Sequence, residues 1–461
     1  MSANVNENLS ISAESPEQQT EASLALPAAP HSAVRRFGGQ LFSRFVAAGP
    51  WGALAYRDFR LLWSGLLVSQ AGSQMRLIAV AWQVFLLSGS VFQVGALGLF
   101  QAIPMIAFSL VGGVIADAFD RRKLLLFTEA TLALCSVALA LLTIFNLITV
   151  PIIYAIAFIS SGVSSFDYPT RQSLIPKIVP KHQLTNAYSL NILMFNLSII
   201  VGPTLGGLAI AGLGVAGTYW FDVGSFGCVI IALLLMRVDG RPGEGRATLG
   251  VQSLVDGIRF LGQHPVILSV MLMDFCAMFF GMTRSLLPVY AANIYHVGAQ
   301  GLGLLLAATG VGAVIAAFFA GPIARIRRQG LGVVLGIAAY GACVALFGLS
   351  TWSFVMGLFF LAAAGAADMI STVLRSAIVQ LGTPDDFRGR VSSVNAVFSI
   401  GGPMLGQFEA GTLANSLTAP IAAIIGGLIV MGSAGLFSFL VPSIRRFLPS
   451  KSTPDAASPP S

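Results

Sequence analysis

Gly113-Val114-Ile115-Ala116-Asp117-Ala118-Phe119-Asp120-Arg121-Arg122-Lys123 closes one apolar run, 92–117, and opens the next, 124–146. A hydrocarbon layer of ~30 Å takes about 20 helical residues to cross, so each run is long enough for one crossing and the charged elbow between them marks a membrane surface. The same alternation continues in both directions. Further apolar runs lie at 59–87, 151–168, 187–212, 216–236, 266–291, 300–322, 331–349, 352–372, 391–413 and 418–441, which predicts an all-α polytopic membrane protein of twelve transmembrane helices. Composition agrees: 56% of the 461 residues are hydrophobic and 10% charged, against roughly 25% charged in a soluble domain, which excludes a soluble fold.

Charge tests the count. The breaks Ser88–Val91, Leu147–Val150, Leu213–Gly217 and Ser350–Trp352 hold no Lys or Arg, whereas the alternate breaks hold Arg121, Arg122 and Lys123, then Arg171, Lys177 and Lys181, then Arg237, Arg241, Arg246 and Arg259, then Arg325, Arg327 and Arg328, then Arg375, Arg388 and Arg390. Of 26 basic residues only Arg76 and Arg284 fall within the membrane on this reading, Arg60 standing at the very edge of its run. The positive-inside rule then puts both termini in the cytoplasm. The net charge of +7 is an orientation signal on this reading and predicts no nucleic-acid partner. Residues 1–50 are polar and acidic at Glu7, Glu14, Glu17 and Glu21 before turning basic at Arg35, Arg36 and Arg44; they are expected to form a disordered cytoplasmic tail that stays on the protein for want of a signal-peptide pattern. The C-terminal 442–461 is a second tail.

The longest internal connection, 237–265, divides the chain into halves at 51–236 and 266–441, and its segment 251–262 reads as an amphipathic surface helix. The halves repeat. Ser189-Leu190-Asn191 recurs as Ser393-Val394-Asn395, and Gly202-Pro203-x-x-Gly206 as Gly402-Pro403-x-x-Gly406. A duplication of this kind is a transporter signature, with the substrate site at mid-membrane where the halves meet.

The 113–123 elbow resembles the cytoplasmic loop motif of the major facilitator superfamily, with Gly113, Asp117, Arg121 and Arg122 as the motif residues. Asp117 ends a helix whose dipole disfavours an anion there, so it calls for cationic partners, and such a clasp can lock one conformation. Ala118 and Asp120 depart from the pattern, where a basic residue and a glycine are usual, and imply a reorganised clasp. Ser198-x-x-x-Gly202-Pro203-x-x-Gly206-Gly207 resembles the superfamily's antiporter motif: small residues every four positions for close helix contact, with a proline that favours a kink. Over about 56–440 the chain resembles the subfamily of the bacterial enterobactin exporter and macrolide efflux proteins. Asp167-Tyr168-Pro169-Thr170-Arg171-Gln172, the run 196–207, His264-Pro265 and Arg284-Ser285-Leu286-Leu287-Pro288 carry that resemblance. It implies inner-membrane export of a siderophore or drug-like compound, driven by a proton gradient and without a cofactor.

A charge at bilayer depth costs about 2.5–3.5 kcal/mol on insertion scales, so each one needs a reason. Arg76 and Arg284 are 208 apart, close to the repeat offset, and are expected at equivalent places in spans 1 and 7. They either flank an anionic substrate in the cavity or pair with Asp222 or Glu409 as struts. Asp222, Asp274 and Glu409 are the proton-coupling candidates, because burial is what brings a carboxylate into the range where it exchanges protons. Asp167 and Asp368 are expected to pair with Arg171 and Arg375, and Glu129 to anchor a loop. Gln70 and Gln74, at i, i+4, and Asn196 are further cavity candidates, with Trp82, Phe195 and Phe279 as aromatics that could meet an apolar substrate. No phosphate loop and no His-Glu-x-x-His site occurs in the sequence, so neither an ATP-driven pump nor a zinc enzyme is expected. Cys135, Cys228, Cys276 and Cys343 have no paired spacing and predict no disulfide or metal site. A monomer that meets lipid and a small molecule, and hands its cargo to an outer-membrane export system, is the expected assembly; an importer and a non-transporting receptor are the rival readings.

Overall fold

The computed structural model describes residues 51–237, 251–324, 326 and 328–446; both expected tails, apart from 442–446, and Arg241 and Arg246 lie outside them. Among the described residues the chain is helical throughout, without strands. The long elements are α1 (Arg57–Ser88), α2 (Val91–Ala118), α3 (Arg121–Ile144), α4 (Val150–Ile178), α5 (Leu184–Leu235), α6 (Val251–Gln263), α7 (Pro265–Phe280), α8 (Gly298–Phe318), α9 (Gln329–Leu349), α10 (Phe354–Gly382), α11 (Asp385–Ser416) and α12 (Ala419–Leu440).

Eight of the described helices are long and apolar enough to cross a membrane, and a ninth is added if α6 and α7, bent by 111° at His264, are taken as one span. Apolar length alone therefore does not reproduce the count of twelve. Two physical features account for the difference. α5 runs 52 residues through the expected break at Gly214, whose φ of 72° is a left-handed value open to glycine. α1 and α11 carry polar and charged residues such as Gln70, Gln74 and Arg76, or Gln407 and Glu409. Helices also outrun their apolar runs at the basic end: α4 continues to Ile178 through Pro169 and Pro176, and α10 continues to Gly382.

The elbow is built from backbone caps. Asp120 is the N-cap of α3, its carboxylate accepting from the amides of Arg122 and Lys123 at 3.0 and 3.2 Å. Arg122 reaches across to the last turn of α5, donating to the carbonyls of Leu233 at 2.7 Å and Leu234 at 2.9 Å. The departure from glycine at Asp120 is thus a helix cap. The Asp117 side chain and the surroundings of Gly113, and hence the clasp proper, lie outside what the structure describes. α6 is a surface helix seated on α11, with Phe260 stacked between His264 and Phe387.

Where the halves touch decides the shape of the site. α2 packs on α11, and α5 on α8. Both contacts need glycine. A Cβ on Gly95 would lie 2.8 Å from the Gly411 Cα, and a Cβ on Gly207 2.6 Å from the Ala299 carbonyl oxygen, distances that real side chains do not tolerate. Gly95 is in the first turns of α2 and Gly303 in those of α8, the ends remote from the basic loops. One buried cluster runs through both halves at that end, from Val94, Leu97 and Tyr219 to Leu302, Phe347 and Ala423. The clusters at the basic end each keep to a single half, Leu62, Leu125 and Leu174 in one and Val270, Val333 and Leu374 in the other. The halves are therefore closed together at the end without basic loops.

Candidate functional site

α7 stops at Phe280, and residues 281–286 leave the helix before the chain turns again at Leu287–Val289 and a π-turn at Tyr290–Ile294. Tyr340 of α9 donates its hydroxyl to the carbonyl of Gly281 at 2.9 Å, holding the start of this break. Non-helical backbone at membrane depth survives where it is buried in protein or lines a cavity. Here it lines one of about 310 Å³, at the low end of sizes that take a small organic ligand. From the first half the wall includes Gln74, Gln101 and Met105; from the second, Met282, Arg284, Ser285, Met404 and Gln407. Pro203 and Pro403, the prolines of the repeated motif, both belong to this wall.

The motif in α5 positions part of this wall. Gly202 and Gly206 press on α1, where a Cβ on Gly202 would lie 2.5 Å from the Gln74 Cβ and one on Gly206 3.0 Å from the Met75 Cα. Gly207 meets α8, and Ser198, 1% exposed, returns its hydroxyl to the Met194 carbonyl at 2.8 Å. The second copy behaves alike, Gly402 and Gly406 lying against α7 at Met278 and Phe279.

The two equivalent arginines do different things. Arg76 is neutralised: its Nε lies 3.1 Å from Asp222 Oδ2, its Nη1 donates to Ser160 at 3.3 Å, and it sits 5.9 Å from the Phe226 ring centroid. Asp222, fully buried, also accepts from Ser136 at 2.6 Å. Arg284 has no ion pair or hydrogen bond among the described residues and lines the cavity. Beside it the Ser285 hydroxyl, 1% exposed, is without a hydrogen-bond partner among the described residues. The strut expectation thus describes Arg76 and not Arg284, which makes no pair with Glu409.

The other buried charges group as follows. Arg171 bridges Glu129 at 2.7 Å and Asp167 at 2.5 Å. Asp274 is held by Arg375, so the expected Asp368–Arg375 pair does not form; seven helical residues rise about 10 Å, beyond direct reach, whereas Asp167 and Arg171 are one turn apart. Asp368 and Glu409 have no ion partner among the described residues. Gln70 and Asn196 are outside the cavity wall, Phe195 is exposed and Trp82 is 8% exposed in the core that joins the halves. Gln101, Ser285, Ser399 and Gln407 are the polar wall residues not expected from the sequence. A glutamine deep in an apolar helix was the available signal for Gln101; nothing in spacing marked the other three.

Two helical halves sealed at one end around a cavity between them have the architecture of a membrane transporter. Residues 48–456 match the family described as "Transmembrane secretion effector". The chain belongs to that family, within the major facilitator superfamily, whose members are transporters and not enzymes. It is 26% identical over 402 residues to the enterobactin exporter of Citrobacter koseri, covering 87% of this chain and 95% of that protein, and 26% identical to that of Shigella boydii, covering 84% and 93%. Among solved structures it is similar to a bacterial homologue of the iron transporter ferroportin in its inward-facing state, with a TM-score of 0.65 and 13% identity over 83% of this chain and 98% of that one. It is also similar to a bacterial homologue of the lysosomal transporter Spinster, inward-facing and unoccupied, with a TM-score of 0.61 and 16% identity over 85% and 98%.

Proposed function

We propose that the protein exports an amphipathic organic anion of siderophore type across the inner membrane by proton antiport, with both termini cytoplasmic. The observation that carries this is Arg284, a cation in the cavity wall without a counter-charge among the described residues, while Arg76 has one. A buried guanidinium attracts a carboxylate or catecholate in two-pronged geometry. The wall around it suits the rest of such a ligand: Met105, Met282 and Met404 give an adaptable apolar surface, and Gln74, Gln101 and Gln407 give donors and acceptors. The relatives named as enterobactin exporters support the outward direction and the substrate class. With the basic loops in the cytoplasm, the closed end is periplasmic and the present state is the one that loads from inside. Glu409, of the three acids expected to couple protons, is the one without an ion partner among the described residues. The carrier acts as a monomer without a cofactor, and an outer-membrane system takes the cargo onward.

Arg284→Gln tests this. Export of a catechol-bearing chelator falls at least tenfold while the amount of protein in the membrane is unchanged. Loss of the protein from the membrane would instead make Arg284 a structural strut.

A further inference from the structure

We propose that Glu129, Asp167 and Arg171 form a proton-binding site in the first half, where the two acids share one proton against a single guanidinium and carry it during transport. The inference deepens the proton-antiport reading by naming a place for a carried proton outside the cavity wall, and rests on that reading.

One nitrogen holds both acids. Arg171 Nη2 lies 2.7 Å from Glu129 Oε1 on α3 and 2.5 Å from Asp167 Oδ2, one turn back on α4. Two oxygens held in that way stand within about 5 Å of each other, where like charges oppose each other's ionisation. The site is buried: the Glu129 side chain is 0% exposed, that of Asp167 10% and that of Arg171 13%. The other oxygen of each acid, Glu129 Oε2 and Asp167 Oδ1, has no hydrogen-bond partner among the described residues, and neither has Arg171 Nε. With both acids ionised, one negative charge would be left uncompensated in this interior. A proton on either free oxygen removes that charge and puts a donor where two acceptors stand unmatched. Because the acids are coupled, the proton belongs to the pair.

The repeat contains the balanced form of the same arrangement. Arg375 is the counterpart of Arg171, 204 positions on, the interval that also separates Ser189 from Ser393. It takes one acid, Asp274, and donates to the Thr372 hydroxyl at 3.4 Å. At the place of Asp167 the second half has Ser371. Cation and acid match one to one there, and the first half has an acid in addition.

Among the described residues no other cation pairs with either acid. α1, α2 and α5 pack on α3 and α4. Of their titratable side chains, Arg76 and Asp222 bind each other, Arg57 and Asp58 bond to each other and to the end of α5, Arg60 and Cys228 are exposed, Tyr219 is bound to Gln83, and Tyr188 packs in the apolar cluster with Leu125 and Leu174. On α3 and α4 themselves, Arg122 is taken up by the carbonyls of Leu233 and Leu234, Tyr154 by that of Gln93, Arg121, Lys123 and Lys177 stand in the end turns, and Cys135 lies further along α3. The side chains of Asp117 and Tyr168 lie outside the described residues. The fixed charge of Arg171 on both acids repels a metal cation, whereas a proton bonds to one oxygen and leaves the guanidinium in place. Glu129 is two helical turns, about 12 Å, past the elbow at Arg121, at the end where the halves are not joined.

The test uses the full-length protein in lipid. Infrared spectroscopy near neutral pH, with no cargo present, is expected to show a protonated-carboxyl component in the wild type that is lost in Glu129→Gln, lost equally in Asp167→Ser, which copies the second half, and kept in Glu409→Gln. Loss on removing either acid is the mark of a shared proton: a carboxyl protonated by itself survives the removal of its neighbour, and a pair ionised throughout has no component to lose. Persistence in either triad variant, or disappearance in Glu409→Gln, would overturn the proposal. In vesicles, a pH gradient is expected to drive dihydroxybenzoate flux through the wild type and not through Glu129→Gln, although that variant still binds dihydroxybenzoate. A wild type driven by a sodium gradient, or by neither gradient, sinks the antiport reading and the carrying role with it, while the infrared component still reports the site. A pH gradient that drives wild type and Glu129→Gln alike sinks the role of this site alone.

Discussion

Removing Arg76 should harm the fold far more than removing its partner Asp222. Asp222 is fully buried, and its remaining support after loss of the guanidinium is the Ser136 hydroxyl at 2.6 Å and a long contact to Ser225 at 3.4 Å. Stranding one member of a buried pair costs about 3–5 kcal/mol; with the Ser136 bond retained, Arg76→Leu belongs near 3 kcal/mol. The reverse change, Asp222→Asn, leaves a guanidinium whose side chain is 12% exposed and keeps Ser160 and the Phe226 ring, so about 1–2 kcal/mol is expected. Replacing both, as Arg76→Met with Asp222→Leu, removes the desolvated charges together and should return stability to within about 1 kcal/mol of the wild type. Thermal unfolding in detergent, followed by loss of helix signal, reads the order directly. Roughly 3 kcal/mol corresponds to about 6–12 °C for a cooperative unit near 200 residues. The reasoning is refuted if Asp222→Asn melts below Arg76→Leu, or if the double variant is no better than the worse single one.

Three further outcomes follow from the same structure. A bulky residue at the seam, Gly207→Leu, cannot fit against Ala299 and Gly303 and should hold the halves apart at the end remote from the basic loops; a cysteine at Gln407 then reacts with an impermeant maleimide added from that side and is protected without the seam mutation. Arg171→Gln leaves Glu129 and Asp167 on one another with no cation and should cost about 3–5 kcal/mol, most of it regained when Glu129→Gln and Asp167→Asn are added, as melting in detergent would show. Gln83→Leu takes away the partner of the fully buried Tyr219 hydroxyl at 2.8 Å and of Thr143 at 2.9 Å and should lower stability by about 1–3 kcal/mol without altering ligand binding.

The parts of this account that the sequence showed are those set by local rules. Apolar length and basic loops located the helices but not all of their ends, which overrun at Ile178 and Gly382 and fall short at Phe280, and one-turn spacing fits the Asp167–Arg171 pair. The duplicated Gly-Pro motif marked two helices that turn out to press on α1 and α7 in the same way. What the sequence hid depends on contacts between distant helices. Nothing along the chain says that Arg76 meets Asp222 across 146 positions or that Arg375 takes Asp274 rather than the Asp368 on its own helix. Gln70 and Gln74 share a helix face in projection, yet Gln74 alone lines the cavity, because Gly202 fixes how α5 lies on α1. The break at 281–286 was also missed: Gly281, Thr283, Arg284 and Ser285 make it polar, but it lies within the apolar run 266–291, and its start is held by Tyr340 from another helix.

The measurement nearest to the central claim is the inventory of small molecules inside and outside iron-starved cells with and without this protein. If the protein exports an anionic siderophore-type compound, cells lacking it retain an iron-chelating metabolite internally, the medium is depleted of it, and restoring the wild type but not Arg284→Gln reverses both. An unchanged distribution of chelators together with reduced uptake of a nutrient would contradict export and reverse the direction assigned to the carrier.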